Sequence, residues 1–255
     1  MMKHCATSLQ NRSNEDFYFI SERDGLTLYA VVDGHGGGNK YKQDLDSKHV
    51  ALYVIKYVHD YISDLLGGLS YDSSKIEDVI KEAFMKIDQT LFELGGKHGC
   101  TFNGVIDTST HYIFINLGDS RSVYFDEEGI IFQTVDHKPS TERLRIEEAG
   151  GKVIDGRVGG NYALSRAFGD FNQKLVDGKY SPYGPMSAIP DVTLIKKRKG
   201  TIILGTDGVY DGFSDSEELI SFYRKIKTKK PSLEISKHAS KKNGDDDTTC
   251  IVLEC

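Results

Sequence analysis

TFNGVIDTSTHYIFINLGDSRSVYFDEEGIIFQTV, residues 101–135, holds four runs rich in β-branched and aromatic residues, at 101–106, 111–117, 122–125 and 130–135, with turn residues between them. Such runs predict strands. Upstream, 17–21 (FYFIS) and 26–32 (LTLYAVV) read as two more strands around the turn ERDG. Between these blocks the apolar period changes. Leu45, Val50, Leu52, Ile55, Val58, Ile62, Leu65 and Leu66 recur at helical spacing over 44–66. Ile76, Val79, Ile80, Phe84, Ile87, Leu91 and Leu94 do so over 75–94, with Ser73 or Ser74 as its cap. Downstream come a short helix at 142–149 stopped by Gly150-Gly151, an exposed loop over 171–190 and a strand at 201–206. A helix then starts near Ser214, with Glu217 as capping-box partner, and a strand follows at 248–253. Helices thus come in pairs between blocks of strands, not one after each strand. This predicts an α+β fold of stacked, mostly antiparallel sheets with helices outside. With no repeat and no long linker, residues 1–255 read as one domain.

The bulk composition narrows the function. In 255 residues, 38% are hydrophobic and 27% charged, as in a soluble globular protein. No apolar run approaches the ~18 residues of a membrane helix, and the N-terminus MMKHCATSLQ lacks the apolar core of a signal peptide. Net charge is -6, against a nucleic-acid partner. The basic run LIKKRKG, 194–200, reads as a solvated hairpin turn, and the Lys-rich stretch from Lys225 to Lys242 as a polar helix and loop. Cys5, Cys100, Cys250 and Cys255 form no CxxC pair, which points to a reducing compartment, cytoplasmic or nuclear.

Acidic residues gather where strands begin and end: NED at 14–16, VVDGHGG at 31–37, INLGDSR at 115–121, ILGTDGVYD at 203–211 and GDDDTT at 244–249. Any one Asp-Gly is an ordinary turn. Five acidic sites at strand termini, without clustered Cys or His, suggest an all-oxygen centre for Mg²⁺ or Mn²⁺. Two such ions ~3.5–4 Å apart can ionise a bridging water and hold it in line with a phosphoryl group. His35 then has a role as proton donor to an alkoxide leaving group.

These segments, with HGCT (98–101), DHKPS (136–140), ERLRIEEAGG (142–151), RVGGNYALSRAFGD (157–170) and DDTTCIVL (246–253), resemble in order and rough spacing the metal-dependent protein phosphatase 2C family of serine/threonine phosphatases. The resemblance implies a four-layer α-β-β-α sandwich of two antiparallel sheets flanked by helices. It implies a centre of two Mg²⁺ or Mn²⁺ ions and a weaker third. On it, Asp33 is the carboxylate bridging both metals, the Gly34 carbonyl a ligand of one, and Asp207 and Asp247 ligands of the other. Glu15 and Asp16 are the acidic pair that holds metal-bound waters, and His35 is the general acid. Asp119 and Asp211, with Asp207, form the third site. Asp245 and Asp246 stand beside Asp247; the family register, Asp followed by two residues and then CIVL, selects Asp247. Residues 171–190 correspond to the flap. SRAFGD is read as scaffold, with Ser165 and Arg166 able to anchor the flap base, and His137 as structural.

Three positions depart from the family pattern. Arg12, the expected phosphate-binding residue, lies four residues before Asp16, and Asn11 occupies the usual place. Thr248 stands where the family has Asn, and a hydroxyl replaces only part of an amide's hydrogen bonding. The stretch after HKPS is shorter than usual, which trims a loop. The implied activity is hydrolysis of phosphoserine or phosphothreonine in a protein by metal-activated water, without a phosphoenzyme. A monomer is expected, with phosphorylated protein as its partner and neither nucleic acid nor membrane. A pseudophosphatase acting as a binding module is the alternative, supported by Arg12 and Thr248. A metal nuclease would need a basic groove, for which only 194–200 and the Lys-rich stretch are on offer.

Overall fold

Strand residues 28–32 alternate between two surfaces, and both are buried: Leu28, Ala30 and Val32 on one side, Tyr29 and Val31 on the other. A strand apolar on both faces needs a layer above it and a layer below. The computed structural model, which describes residues 3–10, 14–23, 25–36, 47–66, 73–244 and 246–255, supplies them.

The chain opens with β1 (Lys3–Leu9), β2 (Asp16–Arg23) and β3 (Leu26–His35), followed by α1 (Ser47–Leu66) and α2 (Ser73–Glu93). The central block is β4 (Gly99–Cys100), β5 (Phe102–Asp107), β6 (His111–Leu117), β7 (Arg121–Phe125) and β8 (Ile130–Gln133). Then come α3 (Arg143–Glu148) and the short strands β9 (Val153–Ile154), β10 (Arg157–Val158), β11 (Phe168–Gly169), β12 (Leu175–Val176) and β13 (Lys179–Tyr180). β14 (Asp191–Lys196), β15 (Thr201–Gly205), α4 (Asp207–Tyr210), α5 (Ser216–Lys225), α6 (Pro231–Asn243) and β16 (Thr248–Glu254) complete it.

Two antiparallel sheets result, one ordered β1-β16-β15-β7-β8, the other β11-β4-β3-β5-β6-β14 with β2 also on β3. Between them pack Tyr29, Val31, Val105, Tyr112 and Phe114 against Tyr124, Ile202, Leu204, Ile251 and Leu253. The outer face of the second sheet takes Val50, Val54, Val58 and Ile62 of α1 and Ile76, Ile80, Phe84, Ile87 and Leu91 of α2. Leu219 and Ile220 of α5 and Ile235 and Ala239 of α6 cover the first. The four-layer α+β sandwich is therefore observed.

The chain changes sheet at the Gly118-Asp119-Ser120 turn, between β6 and β7. It returns to the second sheet by β11 and crosses to the first again at LIKKRKG, which joins β14 to β15 and is a crossover rather than the expected hairpin. Its charges are partly spent: Lys197 pairs with Asp107 and Arg198 with Asp126.

Other readings also shift. β1 was not foreseen; Cys5, Ala6 and Thr7 carry little strand signal alone and are held by pairing with β16. Leu52 is exposed because α1 presents residues 50, 54, 58 and 62 to the sheet, and Leu94 is exposed because it lies past the end of α2. The cap of α5 is Asp215, which accepts from the Glu218 backbone, while the Glu218 carboxylate accepts from the Ser214 backbone, so Glu218 rather than Glu217 closes the box. DGVYDG is not a plain turn but carries α4. Residues 171–190 are not simply an exposed loop: they include the β12–β13 hairpin and bury Lys174, Met186 and Ala188. Leu45 lies outside the described residues, as do the side chains of Leu65, Leu66, Ser73 and Ser74.

Candidate metal centre and active site

One end of the sandwich collects the acidic strand termini. Strand register sets Asp16, the first residue of β2, directly across from Asp33 near the end of β3. Asp33 shares side-chain hydrogen bonds with both Asp16 and Asp207, the first residue of α4. Thr206 donates to Asp16 Oδ2 at 2.7 Å. Asp247 reaches the same end because α4 lies against its backbone: a Cβ at Gly208 would overlap the Asp247 carbonyl oxygen. The buried Asp247 carboxylate accepts from the Glu15 backbone at 3.1 Å. The neighbouring Asp246 side chain is exposed, and Asp245 lies outside the described residues.

Electrostatics at this end are those of an uncompensated anionic cluster. Burial raises the Asp16 carboxyl, and the charges of Asp207 and Asp247 raise it further against the opposing Thr206 hydrogen bond. Asp33 is raised by burial, then by Asp16, Asp207 and Asp119. Asp207 is raised by burial, then by Asp119 and Asp246. Carboxyls this close take up protons unless cations among them stabilise their charge.

Among the described residues no three donors already form a closed cage for an ion; Asp16, Asp33 and Asp207 pack against one another instead. The donor set nevertheless fits a hard divalent cation. All its donors are oxygens, its carboxyls are raised by mutual repulsion, and one buried oxygen, Asp119 Oδ1, has no hydrogen-bond partner. The other Asp119 oxygen accepts from Lys138 Nζ at 2.6 Å. Gly34 is held closely: a Cβ there would lie 3.1 Å from the Glu15 Cβ and carbonyl oxygen. Asp211 is exposed at the end of α4, near enough for its charge to act on Asp207. Arg12 and Asn11 lie outside the described residues, as does Gly37.

His35 closes β3 two residues after Asp33. Its Nε2 is 2.6 Å from Asp170 Oδ2, and its Nδ1 is buried with no partner. Burial alone would lower this imidazole; the Asp170 charge and hydrogen bond, then Asp119 and Asp207, raise it on balance. Asp170 and Lys138 escaped the sequence reading. Both sit in quoted motifs, SRAFGD and DHKPS, but only strand register and turn packing bring them to the centre. His137 accepts from the Gly118 backbone at 3.0 Å and so braces the GDSR turn. Ser165 donates to Glu142, and Arg166 binds Glu142, the Ile189 carbonyl and Asp191, which fastens both ends of the 167–190 segment. Thr248 is buried and its hydroxyl has no hydrogen-bond partner, so it does not stand in for an amide there.

Comparison with known proteins identifies the family. The family profile "Protein phosphatase 2C" matches residues 2–246. "Probable protein phosphatase 2C 3" of Paramecium tetraurelia is 36% identical over 215 residues, 76% of this chain and 67% of that protein. "Protein phosphatase 1B" of Mus musculus is 34% identical over 212 residues, 79% of this chain and 54% of that protein. A solved phosphatase from Toxoplasma gondii superposes with a TM-score of 0.81 at 22% identity, covering 99% of this chain and 92% of its own. The family is metal-dependent, generally with magnesium or manganese. With its profile matched across residues 2–246 and its sandwich shared, the chain belongs to the protein phosphatase 2C family.

Proposed function

We propose that this chain hydrolyses phosphoserine and phosphothreonine in proteins by direct attack of water. The observation that carries this reading is the convergence of the Asp16, Asp33 and Asp207 carboxyls, with His35 beside them. Asp33, Gly34, Asp207 and Asp247 would hold two divalent ions, whose chemistry when bound would be to offset charge on the phosphoryl oxygens and acidify water. Asp119 and Asp211, with Asp207, would hold a weaker third ion.

The chain's own groups do the rest. Asp16 and Glu15 would accept hydrogen bonds from ordered water. His35 offers Nδ1, its ring nitrogen without a partner, to the departing serine or threonine oxygen. A proton delivered there spares the leaving group from departing as an alkoxide, an effect typically worth 10²–10⁴ in rate. Arg12, four residues before Asp16, is assigned to the substrate phosphate.

The four cysteines are all unpaired, in line with a cytoplasmic or nuclear protein. No helix among the described residues is long and apolar enough to cross a membrane. We assign a monomer acting on phosphorylated protein, not nucleic acid.

Phosphate release from phosphoserine, phosphothreonine and phosphotyrosine peptides, with Mg²⁺ or Mn²⁺ and with EDTA, tests the reading. Metal-dependent release from the first two supports it. A folded chain inert with both metals is a binding module instead.

A further inference from the structure

The motif SRAFGD ends in an aspartate that nothing in the phosphatase reading uses. Asp170 is 1% exposed and adopts a left-handed backbone with φ of 52°. Few residues other than Gly accept that conformation, Asp and Asn among them. Its Oδ2 meets His35 Nε2 at 2.6 Å. The contact is built by strand register: β4 lies between β3 and β11, with Gly99 opposite both His35 and Gly169. A Cβ on Gly99 would fall 2.6 Å from His35 Nε2 and would overlap the Asp170 carboxylate, so only glycine leaves room for the pair.

The backbone around Asp170 is fastened from outside the centre. Gly169 N donates to Asp88 Oδ1 of α2 at 2.7 Å, and Asp170 N donates to the His98 carbonyl. Asp88 is gripped in turn by Lys174 Nζ, 2.8 Å from each carboxylate oxygen, and by the Tyr180 hydroxyl. Lys174 also donates to the Ala167 carbonyl.

We propose that Asp170 is a positioning residue for His35, holding Nε2 so that Nδ1, and not Nε2, faces the leaving oxygen. The proposal rests on the phosphatase reading for the chemistry that Nδ1 performs. In that step the bond from phosphorus to the side-chain oxygen breaks, its electron pair stays on that oxygen, and the Nδ1 proton goes to it. The water oxygen forms the new bond to phosphorus and gives its proton to solvent. A carboxylate on Nε2 fixes both the ring orientation and the tautomer, as second partners of functional histidines commonly do.

The test uses Asp170→Asn, which suits a left-handed position, alongside His35→Gln and the double variant in the full chain. Two substrates separate the roles: a phosphothreonine peptide, whose leaving group needs a proton, and p-nitrophenyl phosphate, whose leaving group does not. Asp170→Asn is expected to lower kcat on the peptide by about 10²-fold with KM little changed. On p-nitrophenyl phosphate the loss is expected to stay within about 3-fold, and in the double variant no further loss beyond His35→Gln is expected. Equal losses on both substrates, or multiplying losses in the double variant, overturn the proposal. Nitrogen-15 NMR of the His35 ring gives a readout independent of turnover. Wild type should show a protonated Nε2 and a bare Nδ1 in the neutral ring, and Asp170→Asn should lose that preference. An unchanged ring spectrum overturns the positioning role. A wild-type chain that releases no phosphate refutes the phosphatase reading while the ring spectrum still decides the pairing.

Discussion

Replacing Lys174 by Met removes one member of an ion pair whose side chains are both 0% exposed. Asp88 would keep the Gly169 N–H and the Tyr180 hydroxyl but lose the Lys174 ammonium. Breaking a pair of this kind costs about 3–5 kcal/mol, because a buried charge is left uncompensated. The Ala167 carbonyl also loses its Lys174 donor. At the ~2–4 °C per kcal/mol typical of chains this long, the melting temperature should fall by roughly 6–20 °C. Asp88→Leu should cost a similar amount by stranding the ammonium. The double variant Asp88→Leu/Lys174→Met removes both charges, so its cost should fall short of the summed singles by at least ~2 kcal/mol. The chain has no Trp, so urea and thermal unfolding are best followed by far-ultraviolet circular dichroism. A loss below about 1 kcal/mol for Lys174→Met, or additive singles, would refute the reasoning that this pair clamps the 167–190 segment to α2.

Three further outcomes are expected. Gly208→Ala should lower kcat by more than about 10²-fold and weaken Mn²⁺ binding in calorimetry, because its methyl would displace the Asp247 backbone; unchanged binding counts against that placement. Glu142 is held down to about 2, its burial outweighed by the Arg166 hydrogen bond and charge and by Arg145 and Ser165. A depressed carboxyl contributes stability that is present above its unfolded value near 4.5 and lost as pH falls through about 2, so Glu142→Gln should cost about 1–2 kcal/mol at pH 7 after screening and progressively less in acid. The raised Asp16, Asp33 and Asp207 carboxyls predict that Mn²⁺ binding near neutral pH releases protons, read as a buffer-dependent heat; a heat identical in buffers of different ionisation enthalpy would contradict it.

The parts of this molecule that were legible in sequence are those written in local pattern. The helical stripe of α2 and the apolar run of β3 are local signals, and both survive folding. The turns holding Asp33 and Asp207 were legible as acidic strand ends because each apolar run is followed by Asp-Gly, whereas the ligand roles and the choice of Asp247 over its neighbours came from the family resemblance. What was not legible depends on partners distant in sequence. The His35–Asp170 contact spans 135 positions and exists only because β4 separates β3 from β11. LIKKRKG looks like a hairpin turn because each flank is a strand; that the flanks belong to different sheets is a matter of topology alone. Asp215 displaced Ser214 as the cap of α5 by a single residue, a difference only the hydrogen bond to Glu218 reveals.

The dependence of phosphate release on divalent ions held by the carboxylate end is where the phosphatase proposal stands or falls. It is tested most directly by titrating Mn²⁺ into metal-free chain while binding heat and phosphate release from a phosphothreonine peptide are followed on the same samples, with Asp33→Asn beside the wild type. Turnover is expected to rise with occupancy of the tight ions, and Asp33→Asn, though folded, to lose both. Turnover that persists in EDTA, or an Asp33→Asn chain that binds and turns over as wild type does, would contradict it.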